Sequence, residues 1–141
     1  MRGLTLIELL VVLVIIGILA AIAVPGYRGI QKRSAIRSGE ASVNSIKLAV
    51  EQYRTFQRTY LNTSSGCGSP VVQDSSNQQI DNCYRGANIG SNVNPWTFRV
   101  EASDTDYRIC AIGVSGSIVN GLTICVDERN NWGDESTVTF P

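Results

Sequence analysis

Residues Leu4 to Val24 read LTLIELLVVLVIIGILAAIAV, and this stretch decides the architecture of the chain. Only Thr5 and Glu8 among them are clearly polar. As a helix rising about 1.5 Å per residue, the run is about 31 Å long, close to the roughly 30 Å hydrocarbon layer of a bilayer. The length predicts a membrane-crossing helix, yet the run contains an acid. A carboxylate costs about 2.5–3.5 kcal/mol at mid-membrane, less near an end, so it is normally kept for a partner. Two plain readings leave something over. A secretory signal peptide has an apolar core of about 7–15 residues before its cleavage site. This run is longer, and a cut near Leu19–Ala23 would discard Glu8 with the core. An ordinary membrane anchor explains the length but not the acid.

One residue upstream stands Gly3, and one step downstream Pro25, Gly26 and Tyr27. The whole string GLTLIELLVVLVIIGILAAIAVPGY strongly resembles the N-terminus of type IV pilins and their pseudopilin relatives. It covers residues 3–27 of 141, and its combination of glycine, Thr-Leu, glutamate and long aliphatic run is specific. In that family a dedicated prepilin peptidase cuts after the glycine and methylates the new terminal amine. The resemblance therefore implies cleavage between Gly3 and Leu4, N-methylation of Leu4, and Glu8 as fifth mature residue. The implied leader, residues 1–3, is shorter than family leaders usually are. It keeps Arg2 on the cytoplasmic side, as the positive-inside rule expects. The implied role of Glu8 has a physical basis. An amine at Leu4 and a carboxylate at Glu8 are both costly in hydrocarbon. If subunits stack with an axial offset, the amine of one can meet Glu8 of the next, and joint burial offsets part of the cost. Glu8 is then a registry device for assembly, not a catalyst.

Residues 4–27 thus read as a transmembrane and filament-core helix, and 28–60 as its continuation. Ile36, Val43, Ile46, Val50, Tyr53 and Tyr60 follow a 3/4 spacing that places them on one stripe. Such a stripe packs on a sheet or another helix. From Leu4 to Tyr60 the helix would span about 85 Å if continuous. Gly17, Pro25 and Gly39 are its weak points, since proline in a helix interior costs about 3 kcal/mol. The resemblance adds that the stretch mapping to Gly17–Pro25 loses helical form in some assembled filaments.

Beyond Tyr60 the periodicity ends. Residues 61–95 are rich in Asn, Ser, Gly and Gln and predict a long connecting loop. Residues 96–141 carry strand signals at Trp96–Val100, Tyr107–Val114 and Leu122–Val126, with a short edge strand expected at Ser136–Phe140. The expected fold class is α+β: a long N-terminal amphipathic and transmembrane helix whose C-terminal half packs on a three- or four-stranded antiparallel sheet, the pilin fold.

Cysteine count fits an exported domain. Four cysteines and no histidine occur, which favours disulfides and leaves three pairings. Cys67–Cys83 and Cys110–Cys125 are preferred because each closes a short loop, worth about 3 kcal/mol for about 15 residues. The second also resembles the loop-defining C-terminal disulfide of many pilins. Without histidine there is no His-based triad and no haem attachment, and no CxxC spacing supports zinc. No cofactor, metal or enzymatic activity is expected. Asp104/Asp106, Asp127/Glu128 and Asp134/Glu135 match no calcium-loop spacing and read as solvated turn acids. Asn62-Thr63-Ser64 fits a glycosylation triplet of a kind common by chance.

Charge is zero overall but uneven. Residues 1–60 hold eight Lys/Arg against three Asp/Glu, a balance of +5; residues 61–141 hold four against nine, a balance of −5. Opposite halves suit contacts between copies. Arg28, Lys32, Arg33 and Arg37 equally suit lipid headgroups before assembly. An acidic domain argues against a broad nucleic-acid surface, which needs clustered Lys/Arg; a local patch of Arg85, Arg99 and Arg108 stays open.

The expected function is a structural subunit held in the bacterial inner membrane, then polymerised by the assembly machinery into a surface pilus serving adhesion, motility or DNA uptake. Its partners are other copies of itself. The alternatives are a minor pilin with a binding role, a type II secretion pseudopilin, or a solitary single-pass anchored domain.

Overall fold

The computed structural model describes residues 5–140, including the side chains of all of these except Val24 and Pro25. The bond expected to be cleaved, between Gly3 and Leu4, lies outside the described residues. The chain forms two compact units, Met1–Ser34 and Ala35–Pro141. Helix α1, Leu6–Gln57, has residues in both and continues through the expected helix breakers at positions 17 and 25.

Within the second unit, α1 presents the expected stripe. Val43, Ile46 and Val50 are fully buried, and Ile36 and Tyr53 are partly buried; the helix expected to run to residue 60 ends at Gln57, where Arg58 takes a positive φ of 63°, and Tyr60 enters the same core from beyond the helix end. They meet one face of a five-stranded antiparallel meander, β1 (Val71–Gln73), β2 (Trp96–Ala102), β3 (Tyr107–Gly113), β4 (Thr123–Asp127) and β5 (Trp132–Gly133), in that spatial order. Strand β2 alternates buried and half-buried residues along its length, because its even positions, Trp96, Phe98, Val100 and Ala102, face the helix. Each large apolar side chain taken fully from water contributes about 1.5–3 kcal/mol.

Gly39 lies where the helix packs against the Trp96 side chain of β2. A Cβ there would stand 2.7 Å from the Trp96 ring. That indole is almost fully buried and donates from Nε1 to the Ala35 carbonyl at 2.9 Å. The residue that costs the helix propensity is the residue that lets the tryptophan in. Further along, Tyr107 donates to Glu51 at 2.8 Å and Arg54 donates to the Tyr60 hydroxyl at 2.6 Å, with the two tyrosine rings edge to face. Burial, reinforced by the Glu51 carboxylate, pushes the Tyr107 hydroxyl well above its ordinary range. Burial likewise pushes Tyr84, which donates to the Tyr60 carbonyl at 2.9 Å, up to about 12. Both phenols therefore stay neutral donors across physiological pH.

The strand expected at Ser136–Phe140 is not formed. The Asp134 carboxylate accepts from the Ser136 and Thr137 amides at 3.1 and 2.9 Å, and the Asp134 carbonyl accepts from the Val138 amide at 3.0 Å. Those donors serve a turn instead of a ladder. The last strand is β5, set beside β4 by a tight turn in which Asp127 accepts from the Arg129 and Asn131 amides and Asn130 takes a positive φ of 64°. Asparagine tolerates that conformation better than most residues.

The segment expected to be an irregular loop, 61–95, carries β1, paired with β2 through Val71↔Val100, and a short helix α2, Gln79–Cys83. Its organiser is Gln73, fully buried. Gln73 donates to Asp81 at 3.0 Å and to the Gly90 carbonyl at 2.7 Å, and accepts from the Asp81 amide at 2.9 Å. Asp81 in turn accepts from the Ile89 and Gly90 amides. Replacing Gln73 with leucine removes three hydrogen bonds, to the half-buried Asp81 carboxylate and amide and to the Gly90 carbonyl, each contributing about 0.5–1.5 kcal/mol. We expect Gln73→Leu to lower the denaturant midpoint of the full chain in detergent, with β1 exchanging its amide protons first. A midpoint equal to wild type would show that the hub contributes nothing.

Candidate functional site: the N-terminal assembly segment

In the first unit, Leu6–Ala23 is a helix long and apolar enough to cross a membrane, and none of it is buried. Its aliphatic residues are exposed all round, from Leu6 at 82% to Val12 at 46%. A helix apolar on every side is stable only in lipid or among other apolar helices. Glu8 sits in its first turn. Its carboxylate has no hydrogen-bond or ion-pair partner among the described residues. Its amide donates to the Thr5 carbonyl at 3.1 Å and to Thr5 Oγ1 at 3.3 Å. Thr5 is thus the helix cap, a role legible in the spacing Thr5-x-x-Glu8 but missed in the sequence reading. An acid in the first turn also complements the helix dipole. A capped helix start holds this one charged group at a fixed place on an apolar rod. The chemistry open to it is pairing with a cation from outside the described residues.

Other candidate residues lie in the second unit. Cys67 is bonded to Cys83, with Cα atoms 5.7 Å apart, and Cys110 to Cys125, 4.1 Å apart. The first bond joins the loop after α1 to α2. The second links residues directly opposite on β3 and β4, on the sheet face away from α1, where Val138 and Ile112 cover it. The same outer face holds an ion-pair ladder: Arg108 contacts Glu101 and donates to the Val138 carbonyl at 2.9 Å, and Arg99 contacts Glu135. Arg99 and Arg108 are therefore neutralised by neighbouring acids, whereas Arg85 lies elsewhere, beside α2; the three do not form one basic patch. Asn62 is buried and donates to the Cys83 carbonyl at 2.6 Å, so its amide is committed to the fold.

The turn acids are occupied locally. Asp104 accepts from Thr59, and Asp134 is held below the usual carboxylate range by Ser136 and Thr137. Burial pushes Asp127 upward, but hydrogen bonds from Asn131 and Arg129 outweigh it and its carboxyl ends below the usual range. Among the described residues no three such side chains gather into a metal-holding cluster.

An unbroken apolar helix with one capped-turn acid, followed by a disulfide-bonded α+β unit, is a pilin-like architecture. Residues 1–24 match the family described as the prokaryotic N-terminal methylation motif. The chain is 46% identical over 143 residues to a fimbrial protein of Pseudomonas aeruginosa, covering 98% of this chain and 87% of that protein. It is 27% identical to the type II secretion system core protein G of Pectobacterium carotovorum, over 93% of this chain and 84% of that one. The core protein G of Pseudomonas aeruginosa is 30% identical, over 81% and 76%. No solved structure matches significantly. The chain belongs to the type IV pilin and pseudopilin family, whose members are structural subunits.

Proposed function

We propose that the chain is a structural subunit of a type IV pilus. On this reading it is inserted in the bacterial inner membrane by Leu4–Val24, cut by a prepilin peptidase between Gly3 and Leu4, methylated at Leu4 and polymerised at the cell surface. The observation that carries the reading is the 46% identity to a fimbrial protein over nearly the whole chain. Two disulfides in the second unit agree with prolonged exposure outside the cell. In the assembled filament the apolar helices exchange lipid for one another. Hydrophobic transfer then supplies little, and register depends on packing and on a Glu8–amine pair between copies.

The deciding experiment is deletion of the gene followed by shearing of surface filaments. A dominant filament band of this subunit, lost on deletion, is the expected result. Intact pili together with lost protein secretion would favour the pseudopilin reading, which similarity to core protein G motivates. Processing is tested separately. Mass spectrometry of the N-terminal peptide from filaments should show a methylated Leu4 as first residue. A mature chain beginning at Met1 would refute the cleavage.

A further inference from the structure

In the second unit, residues 114–122 join β3 to β4, inside the loop that the Cys110–Cys125 bond closes. Residues 110–125 contain no Asp, Glu, Lys or Arg, although residues 61–141 hold nine acids. The connection ends in a tight turn, where the Leu122 amide donates to the Val119 carbonyl at 3.0 Å. Its two central residues are Asn120 and Gly121, both exposed. Gly121 takes a φ of +75°, the positive value that a type II turn needs at its third residue. The space where a Cβ would stand on Gly121 is open to 4 Å. Neither the Asn120 side chain nor the Gly121 amide has a hydrogen-bond partner among the described residues.

An asparagine side chain and the next backbone nitrogen can close a five-membered ring. The Gly121 nitrogen gives up its proton and bonds to Asn120 Cγ, the Cγ–NH2 bond breaks, and ammonia leaves. Water then opens the succinimide at either carbonyl. The product is aspartate, or isoaspartate with the chain rerouted through the side-chain carboxyl. Water is the only co-reactant, and nothing is oxidised or reduced. The step needs an accessible asparagine, an unhindered next residue and a next amide that is not already donating. Other asparagines lack one of these. The amide after exposed Asn88 belongs to β-branched Ile89 and donates to Asp81 at 3.0 Å. The amide after Asn130 donates to Asp127 at 2.8 Å, and Asn130 Oδ1 accepts from Lys47 and Trp132. Asn94 precedes Pro95, which has no N–H. Asn120 alone among the asparagines is followed by glycine. We propose that Asn120-Gly121 is a self-modifying site, at which the chain turns a neutral hairpin into an acidic one as it ages. The added carboxylate stands in a segment that otherwise has no charge. The chemistry is independent of whether the subunit serves a pilus or a secretion system.

The test uses the freshly purified full chain in detergent, held in mildly alkaline buffer made with heavy-oxygen water. Peptide mapping by mass spectrometry follows each asparagine over time. The expected result is conversion at Asn120 about tenfold or more faster than at Asn88 or Asn130. The product should be a mixture of aspartate and isoaspartate, each carrying a heavy oxygen from the water. Gly121→Ala should slow the conversion about tenfold or more, because its Cβ crowds the attacking nitrogen. Alanine is strained at the φ of Gly121, so the melting midpoint of that variant is measured alongside. If it misfolds, the wild-type product mixture still decides, because isoaspartate forms only through the ring. Conversion at Asn120 no faster than at Asn88, aspartate without isoaspartate, or an unchanged rate in a folded Gly121→Ala would overturn the proposal. Conversion confined to chain unfolded in denaturant would overturn it equally, since the turn would then protect the pair. The assay needs no filament, so this proposal and the pilus reading fail separately.

Discussion

Glu8→Gln is expected to leave the subunit folded and membrane-inserted while filament yield collapses. Glutamine preserves the shape of the side chain and removes only its charge. The helix cap survives, because the bond that makes it runs from the residue-8 amide to Thr5 Oγ1 and does not involve the carboxylate. The exposed aliphatic surface of Leu6–Ala23 also survives, so insertion should be normal. What is lost is the only negative charge available to a neighbour's Leu4 amine within that run. A charge-assisted hydrogen bond contributes about 1.5–3 kcal/mol, which at about 1.4 kcal/mol per tenfold is about 10–150-fold per contact. A polymer repeats that loss at every subunit. The readout is the ratio of sheared filament to membrane-bound subunit in cells expressing equal amounts. Glu8→Ala should do the same, with a small additional cost at the first helical turn. Normal filament yield from either variant would refute the pairing, whereas loss of the membrane-bound pool would mean that Glu8 acts earlier, during insertion.

What could be read from the chain and what could not divides along a physical line. The apolar rod, the buried stripe from Ile36 to Tyr60 and strands β2 to β4 are carried by periodicity, which survives in a single sequence. The role of Gly39 is not, because only the position of Trp96, far along the chain, turns a helix weak point into a packing requirement. The same holds for β1 and α2. Three strand residues and five helix residues are too short to leave a period, and what organises them is Gln73 meeting Asp81 and Gly90 in space. STVTF at 136–140 shows the opposite failure. Its alternation is strand-like, but the preceding Asp134 captures the amides that a ladder would need. Thr5 as a cap is legible in Thr5-x-x-Glu8, because a capping threonine is followed three residues later by an acid in the first turn. The unpaired Gly121 amide is not legible at all, since only the fold decides which amides are taken.

The second large effect is expected from the disulfide between Cys110 and Cys125. Cys110→Ser with Cys125→Ser should destabilise the C-terminal unit by about 2–5 kcal/mol. Part of that is unfolded-state entropy, for the bond closes a loop with a sequence separation of 15. Part is local, since both cysteines are almost fully buried under Val138 and serine would place unpartnered hydroxyls there. Cys110→Ala with Cys125→Ala separates the two contributions, because it opens the loop without adding hydroxyls and should recover some stability over the serine pair. A non-reducing peptide map of the wild type comes first. It should return Cys67–Cys83 and Cys110–Cys125, and a Cys67–Cys125 peptide would refute the register of β3 against β4. Unfolding of the full chain in detergent then gives the stability change, while carbonate extraction of membranes gives the inserted fraction. On the proposed reading insertion depends on residues 4–24, and the lost bond lies in the other compact unit. The serine pair should therefore reduce filament yield through a poorly folded C-terminal unit, with the inserted fraction unchanged. A parallel fall in inserted protein would show that folding of the C-terminal unit and anchoring of the helix are one step, and the separation of assembly chemistry from disulfide chemistry would fail with it.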